Sequence, residues 1–325
     1  MVRTRSYRGG KLQQENFPVE RISDELQIAG TTVWFDLCGS DSVDLDVISQ
    51  ELGLHELAVE DVRDPHQRQR PKLDHYPEHL FLVAFALEMD PTTSQLRAHE
   101  INVFVTKNAL VTVREDEGFN IDEVVSRWDG APNLAGDGVA FLLHGVLDYV
   151  VDTHFAAIQE LDTEIEGLED QLFDDVTTDK QLQRRSFELR KDLVKLRRLV
   201  LPMREVVNTV MRRDLGVVTD RLAPYFQDVY DHVLRATEWT ESLRDLVANI
   251  LETRLTVRGN RLNIIMRQVT SWAAIIAVPT AVTGFYGQNL PYPGFQKEWG
   301  FFMSLSILVG GSGGLFLFFK AKDWL

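Results

Sequence analysis

Apolar positions in the first part of the chain form short runs. Four runs rich in β-branched and aromatic residues predict strands, at 31–37, 80–87, 101–105 and 110–113. Apolar residues at helical spacing in 42–52 predict a helix between the first two strands. Because strands and intervening helices bury apolar surface against one another, we expect a small α/β domain over residues 18–135.

The segment before this domain, residues 1–17, is almost entirely polar. It offers too little apolar surface to offset the entropy lost on ordering, so we expect it to be disordered. Arg3, Arg5 and Arg8 are not followed by an apolar run, which argues against a secretory signal peptide.

From residue 136 onward, apolar residues recur at helical spacing in three stretches, which predict a helical hairpin and a stalk over 136–267. Pro202 indicates a bend in the second stretch. The third stretch begins near Pro224 and continues for 54 residues before Pro279, enough for a helix ~80 Å long. A helix of that length indicates a coiled coil, a bundle or a helix that continues into a membrane.

Charge is distributed unevenly over the predicted hairpin. Residues 160–175 are acidic without a single Lys or Arg, and 180–198 are rich in Lys and Arg. Two solvated helices that exchange charge are one interpretation. An acidic surface that concentrates cations near a pore exit is the other.

The last part of the chain contains two stretches without charged residues, 268–296 and 299–319. A helix over 269–286 has 18 residues, and one over 299–319 has 21, or ~31 Å against a hydrocarbon core of ~30 Å. We therefore predict a two-helix transmembrane domain over 268–325, with a short outer loop and a cytoplasmic tail.

Basic residues set the orientation of this domain. They precede the first span and follow the second, as Arg254, Arg258, Arg261, Arg267, Lys320 and Lys322. The loop between the spans has only Lys297, beside Glu298. We therefore predict a multi-pass protein of the inner or plasma membrane with both termini in the cytoplasm.

Composition excludes several classes of function. The net charge of −15 argues against nucleic-acid binding and leaves carboxylates that attract cations. Cys38 is the only cysteine, so we expect no intramolecular disulfide and no multi-cysteine zinc site. The sequence lacks a phosphate-binding glycine loop, a His-Glu-x-x-His motif and a Gly-x-Ser-x-Gly motif, so we predict neither an enzyme nor an organic cofactor.

The outer loop carries the candidate chemistry. In a tight hairpin, Asn289 would be a turn residue. Mg²⁺ takes oxygen ligands and dehydrates reluctantly, so a ring of Gly287 carbonyls and Asn289 amides would instead suit a hydrated cation. One hairpin cannot enclose a pore, so this second interpretation requires a homo-oligomer with cyclic symmetry.

One face of the first span is small or weakly polar. At three- and four-residue steps it carries Asn263, Met266, Val269 or Thr270, Ala273, Ala277, Thr280 and Gly284. This face suits a pore lining; the alternatives are close helix packing and, for Thr280, a bond to its own helix backbone. In the second span, the Gly310 and Gly314 pair predicts close helix packing.

Cytoplasmic motifs resemble the CorA family of divalent-cation channels, and the likeness covers nearly the whole chain. With two extra residues, the family's Glu-Asp…His-Gln-Arg-Pro-Lys signature is matched by Glu60-Asp61, His66-Gln67-Arg68 and Arg70-Pro71-Lys72. Residues 224–232 resemble the start of the family's stalk helix, and 322–325 resemble its basic tail.

The family's hallmark, Tyr-Gly-Met-Asn, is matched in part by Tyr286-Gly287-Gln288-Asn289. Glycine and asparagine are kept, while glutamine replaces methionine. The acidic loop that usually follows is replaced by Pro291-Tyr292-Pro293-Gly294. These departures leave the ion selectivity open and do not affect the implied architecture.

The resemblance implies a funnel-shaped pentamer: an α/β cytoplasmic domain, a long stalk helix that continues as the pore-lining first span, and an outer second span. It assigns an outer ion site to Gly287 and Asn289, and polar pore positions to Thr280 and Asn263. The resemblance assigns a hydrophobic constriction to Met266 and Val269. Ala277 occupies a third constricting position, which is often methionine in the family. Asp61 and Asp228 match intersubunit carboxylates that sense Mg²⁺.

Both acidic residues have simpler interpretations. Asp61 would be solvated, or cap a loop, beside Glu60, and Asp228 would complement its helix dipole or pair with His232. The physical case for sensing is that facing carboxylates from two subunits repel unless a cation lies between them. Loss of Mg²⁺ would then favour separation of the subunits.

The sequence thus favours a homo-oligomeric, pentameric channel for Mg²⁺, with Co²⁺ and Ni²⁺ as further cargo, driven by the membrane potential and gated by cytoplasmic Mg²⁺. Its expected partners are the membrane, further copies of itself and divalent cations, without nucleic acid. One alternative is a transporter of zinc or another divalent cation from the same superfamily. A second is a membrane-anchored sensor or scaffold that binds Mg²⁺ and encloses no pore.

Overall fold

The computed structural model describes residues 2–39, 43–64, 70–171, 179–288 and 290–325. Its strands are β1 (Val2–Arg8), β2 (Lys11–Glu15), β3 (Thr31–Cys38), β4 (Lys72–His75), β5 (Leu80–Met89), β6 (Leu96–Val105) and β7 (Ala109–Arg114). Its α-helices are α1 (Ile22–Gln27), α2 (Val43–Leu52), α3 (Glu56–Arg63), α4 (Ile121–Gly130), α5 (Val139–Asp170), α6 (Asp179–Val210), α7 (Ala223–Tyr286) and α8 (Glu298–Ala321).

The chain divides into two compact units, Met1–Ala248 and Asn249–Leu325, and the division falls within α7. Of the described elements, the first unit contains all the strands, α1 to α6 and the start of α7. The second contains the rest of α7 and α8. The segment boundaries that we predicted near residues 17, 135 and 267 remain predictions, since the two compact units divide the chain at a different place.

A single seven-stranded sheet lies in the first unit, in the order β2-β1-β3-β7-β6-β5-β4. β3 and β7 are parallel, with Val33 opposite Ala109, and the other neighbouring strands are antiparallel. β5 is buried at all but one position, and both α5 and α6 pack on it. This burial explains why the sequence shows a continuous apolar run at 80–87 instead of alternation.

The structure orders the N-terminal segment that we expected to be disordered. β1 pairs with β3 along its whole length, and Thr4 and Ser6 are buried there. The guanidinium of Arg5 donates to Glu15 at 2.9 Å and to both carboxylate oxygens of Asp129 at 3.0 and 3.1 Å. Backbone ladder bonds and charge-assisted hydrogen bonds therefore compensate for the small apolar surface of this segment.

Three helices in the described part of the chain are long and apolar enough to cross a membrane: α5, α7 and α8. The most apolar window of α5 is 61% buried, compared with 6% for α7 and 0% for α8. α5 packs on β5, where His154 Nε2 lies 2.9 Å from the carbonyl oxygen of Phe85. α5 is therefore a core helix, while α7 and α8 expose the apolar surface that suits a bilayer.

Two prolines lie inside long helices. α6 continues through Pro202, where the sequence indicated a bend, and α7 continues through Pro279. One of the predicted charge exchanges between α5 and α6 is present, because Arg185 pairs with Glu164.

Candidate functional site

One face of α7 in the second unit is exposed at every position that we predicted to line a pore. These positions are Asn263, Met266, Val269, Ala273, Ala277, Thr280 and Gly284. The side chains of Met266 and Val269 are 67% and 63% exposed. Between residues 260 and 270 every position of α7 is exposed, so exposure there agrees with the predicted face without distinguishing it.

The opposite face of α7 contacts α8. A Cβ atom on Gly311 would lie 3.0 Å from Cγ1 of Val278, so the two helices approach closely at this point. Ser271 lies two turns before Val278 on the same side, and it is buried. The hairpin thus covers one side of α7 and leaves the predicted pore face open.

Glycines of α8 differ in what they touch. Gly311 meets Val278, whereas a Cβ on Gly310 or Gly314 would have no described neighbour within 4 Å. The Gly-x-x-x-Gly pair predicted for close packing therefore does not form the contact between these two helices. The sequence has four glycines within residues 310–314, and only the fold shows that Gly311 is the one that faces α7.

The hydroxyl groups of α7 bond to their own helix. Thr280 donates to the Ile276 carbonyl at 2.9 Å, as the simpler interpretation held, and Thr283 donates to the Pro279 carbonyl at 2.8 Å. Because the proton of Thr280 is used in this bond, its oxygen lone pairs are the groups left to face a cation or its water. Intrahelical bonding and a pore-lining role are compatible at this residue.

The end of α7 requires glycine at position 287. The Gly287 N–H donates to the Thr283 carbonyl at 2.8 Å, and a Cβ on Gly287 would lie 2.9 Å from that same oxygen. A side chain would therefore force the helix end to shift. Asn289, the other half of the predicted ion site, lies outside the described residues.

The outer loop is held by aromatic and glycine contacts. The Tyr292 hydroxyl donates to the Tyr286 carbonyl at 3.0 Å, and the two rings meet edge to face at 5.1 Å. A Cβ on Gly300 would overlap the carbonyl oxygen of Gly294, so α8 begins in close contact with the loop. These contacts tie Tyr292 to the end of α7 and Gly294 to the start of α8, and neither contact was predicted from the sequence.

Asp61 lies in α3, and its carboxylate already has a cation beside it. Lys72 Nζ is 2.5 Å from Asp61 Oδ2 and 2.9 Å from Asp74 Oδ2. Burial lowers the pKa of Lys72, but its hydrogen bonds to Asp61 and Asp74 outweigh burial and raise the pKa above its usual value. Lys72 belongs to the family signature, but its pairing with Asp61 was not predicted from the sequence. Residues 66–68 of that signature lie outside the described residues.

Asp228 lies in the second turn of α7 and has a 66% exposed side chain. Its Oδ2 is 4.0 Å from Nδ1 of His232, one turn further on, which is the pairing that the simpler interpretation anticipated. The His232 ring packs edge to face on Phe155, with centroids 5.6 Å apart. Exposure leaves the Asp228 carboxylate accessible to a partner.

Among the residues that the structure describes, no group of three or more His, Cys, Asp or Glu side chains lies close enough to hold a metal ion. Asn263 offers an amide and Thr280 a hydroxyl along α7, and Gly287, the residue after its end, offers a backbone carbonyl. Such oxygen ligands suit a hydrated Mg²⁺ ion that keeps part of its water shell.

The similarity to known proteins covers most of the chain. The sequence model of a family described as CorA-like Mg²⁺ transporter protein matches residues 29–321. The chain is 28% identical over 300 residues to the cobalt/magnesium transport protein CorA of Thermotoga maritima, which covers 91% of this chain and 84% of that protein. It is 25% identical over 268 residues to the zinc transport protein ZntB of Pectobacterium atrosepticum, which covers 79% and 77%.

The fold is also similar to a solved structure. The complete CorA magnesium transporter from Methanocaldococcus jannaschii matches with a TM-score of 0.77 at 20% identity, covering 99% of this chain and 98% of that one. This likeness confirms the predicted order of an α/β region, a long helix and C-terminal apolar helices. Because the family model spans nearly the whole sequence, the chain belongs to the family of CorA-like Mg²⁺ transporter proteins.

Proposed function

We propose that the chain is the subunit of a pentameric channel in the inner or plasma membrane that conducts Mg²⁺, with Co²⁺ and Ni²⁺ as further cargo. The observation that carries this proposal is the exposed face of α7 opposite its contact with α8. In a cyclic oligomer the same face from every copy surrounds one axis. The basic residues at 254–267 and 320–322 orient the assembly with both termini in the cytoplasm.

The ion path follows α7. Gly287 carbonyls and Asn289 amides receive the hydrated cation at the outer mouth, and Thr280 and Asn263 offer polar oxygens further along. Met266 and Val269 form a hydrophobic constriction, and the small Ala277 leaves a third position wide. A divalent cation gains ~4.6 kcal/mol per 100 mV on moving inward, from ~2.3 kcal/mol per charge, so the membrane potential drives uptake.

Cytoplasmic Mg²⁺ acts as the regulatory ion in this proposal. The exposed Asp228 carboxylate of one copy faces Asp61 of its neighbour, and a Mg²⁺ ion between them offsets their repulsion. When the ion leaves, Lys72 still neutralises part of the charge on Asp61, and the carboxylate of Asp228 loses the cation that it shared with Asp61. The equilibrium then shifts toward separated subunits and an open pore.

The test is ion uptake into proteoliposomes that contain the full chain. With an inward-negative potential, the wild type takes up Mg²⁺ and the Asn289→Ala variant loses at least about 90% of that flux, because the amide that coordinates the hydration shell is gone. A Gln296→Ala variant, also in the outer loop, serves as the control and keeps its flux. Equal flux in wild type and Asn289→Ala would contradict the outer ion site, and no flux in either would favour a sensor without a pore.

Zinc transport is the second candidate. Gln288 replaces the methionine of the family hallmark, and residues 290–296 of the outer loop carry no charge. The likeness to a zinc transport protein also favours it. The same liposomes offered Mg²⁺, Co²⁺ and Zn²⁺ separately decide the question, since Zn²⁺ uptake without Mg²⁺ uptake would overturn the first proposal.

A further inference from the structure

The ammonium of Lys72 is shared between two carboxylates that come from different elements. Its Nζ lies 2.5 Å from Oδ2 of Asp61 in α3 and 2.9 Å from Oδ2 of Asp74 in β4. Lys72 forms no other ion pair within the residues that the structure describes. Because an ammonium group has three donors, it makes both contacts at once.

The two contacts of Lys72 differ in what holds them together. Lys72 and Asp74 are two positions apart in β4, so both side chains lie on the same face of the sheet. The strand itself therefore brings this pair together. Asp61 reaches the same ammonium from α3, so its contact depends on how α3 packs against the sheet.

The sheet also gives the ammonium an aromatic contact. Asp74 lies opposite Phe81 in the antiparallel ladder of β4 and β5. Lys72 Nζ is 5.4 Å from the centroid of the Phe81 ring, which suits a cation–π interaction, and Phe81 is fully buried. β4 and β5 thus hold the ammonium with a carboxylate and a ring face, without any group from α3.

Glu100 is a further carboxylate on this face of the sheet, and it does not pair with Lys72. The ladder places Lys72, Val83 and Asn102 in one row across β4, β5 and β6, and Glu100 is two positions before Asn102. Oε1 of Glu100 accepts a hydrogen bond from Nδ2 of Asn102 at 3.0 Å. Asp74 is therefore the carboxylate that remains beside the ammonium when Asp61 binds another cation.

We infer that Asp74 is a positioning residue of the Mg²⁺-sensing site: it holds the Lys72 ammonium when Mg²⁺ takes the carboxylate of Asp61. The inference rests on the sensing role proposed for Asp61. Mg²⁺ replaces the ammonium at Asp61, and the ammonium keeps a charged partner in its partly buried position. Because a partly buried charge that loses its only partner costs free energy, Asp74 raises the affinity of Asp61 for Mg²⁺.

The experiment is calorimetric titration of the full chain in detergent micelles with Mg²⁺, following the binding step that Asp61→Asn abolishes. Asp74→Asn weakens that step about two- to fivefold, because the ammonium is left with Asp61 as its one carboxylate and competes more strongly there. In the Lys72→Met background the same substitution leaves the affinity nearly unchanged, since no ammonium remains to be positioned. Equal weakening in the two backgrounds would overturn the inference.

Two further substitutions are controls for this cycle. Asp46→Asn breaks the pair with Arg63, a partly exposed ion pair of α3 that does not include Lys72, and leaves the affinity for Mg²⁺ unchanged. Glu100→Gln removes a carboxylate that acts on the site only at a distance, so any weakening is the same with and without Lys72. A Glu100→Gln effect that disappears in the Lys72→Met background would assign the positioning role to Glu100 and overturn that of Asp74.

Thermal unfolding without Mg²⁺ tests the shared ammonium independently of ion binding. Asp61→Asn and Asp74→Asn each leave Lys72 one carboxylate, whereas the double variant leaves it none. The midpoint of the double variant therefore falls by more than the sum of the two single shifts, and additive shifts would overturn the inference.

Failure of the inference is distinct from failure of the proposed function. If Asp61→Asn abolishes no Mg²⁺-binding step, the sensing role of Asp61 is wrong and the role of Asp74 falls with it. If that step is found and Asp74→Asn weakens it equally with and without Lys72, Asp61 remains the sensor and only the role of Asp74 is wrong.

Discussion

Lys72 Nζ lies 2.5 Å from Oδ2 of Asp61, so the carboxylate that we propose to sense Mg²⁺ is paired with a cation inside its own chain. Lys72 is a third exposed and Asp61 a fifth, so solvent only partly screens the pair. A Mg²⁺ ion at Asp61 has to compete with this ammonium. If Asp61 senses Mg²⁺ as we propose, this pairing raises the Mg²⁺ concentration needed to close the channel.

Replacing Lys72 with methionine removes the competing ammonium and keeps most of the stem. We expect half-maximal inhibition of flux at a cytoplasmic Mg²⁺ concentration about two- to fivefold lower than in the wild type, the range set by ~0.5–1 kcal/mol for a partly exposed pair. Flux into proteoliposomes, measured over a series of Mg²⁺ concentrations, gives this value. Arg63 lies on the same helix as Asp61 and pairs with Asp46 of α2, so Arg63→Met, which breaks that pair, is the matched control. An unshifted midpoint in Lys72→Met would remove Asp61 from the sensing site.

The Gly287→Ala substitution tests the outer mouth without removing a ligand group. Its Cβ would lie 2.9 Å from the Thr283 carbonyl oxygen, so the end of α7 must move and the Gly287 carbonyl moves with it. We expect Mg²⁺ flux to fall at least about tenfold at an equal amount of folded protein, because positioning errors of about 1 Å are costly at an ion site. Gly313→Ala has open space around the new Cβ and should conduct normally. If both variants conduct like the wild type, the outer ion site does not depend on the helix end at Gly287.

The contact between Gly311 and Val278 predicts which glycine holds the hairpin together. Gly311→Val adds two methyl groups beyond a Cβ that already lies 3.0 Å from Val278, and overpacking of this kind costs about 1–3 kcal/mol. Gly314→Val meets no described neighbour within 4 Å in its own chain. Thermal unfolding in detergent micelles should show a clear loss for Gly311→Val and a smaller one for Gly314→Val. The reverse order would indicate that the pair at 310 and 314 forms the helix contact.

His154 predicts how the first unit responds to acid. It is fully buried, and burial lowers its pKa to about 4, although its bond to the Phe85 carbonyl acts in the opposite direction. In the unfolded chain the ring takes up a proton near pH 6.5, while in the folded chain it stays neutral until about pH 4. The free energy of unfolding therefore falls by about 3 kcal/mol as the pH is lowered through this window.

Unfolding of the wild type at pH values between 7 and 4 measures this loss, and His154→Gln should show a shallower fall because glutamine does not titrate. His75→Gln, at an exposed position, is the control and should follow the wild type. Parallel curves for His154→Gln and the wild type would mean that other groups carry the acid response.

The sequence alone determined the elements whose causes are local. Two uncharged stretches of bilayer length predicted the apolar end of α7 and the apolar helix α8, and β-branched runs predicted β3, β5, β6 and β7. The three- and four-residue steps from 263 to 284 selected positions of α7 that are all exposed, and from residue 271 on these positions lie opposite the contact with α8. The family followed from short motifs whose residues are adjacent in the chain.

Only the tertiary structure decided matters that depend on residues far apart in sequence. α5 has the hydropathy of a membrane span, and packing on β5 makes it a core helix instead. The N-terminal strand is ordered by Arg5, whose partner Asp129 lies 124 positions away. The fold also decides that Lys72 pairs with Asp61, and that Gly311, among the four glycines of α8, contacts Val278. Periodicity records which residues prefer to be buried, but the partner that buries or neutralises each of them is set by how the chain folds back on itself.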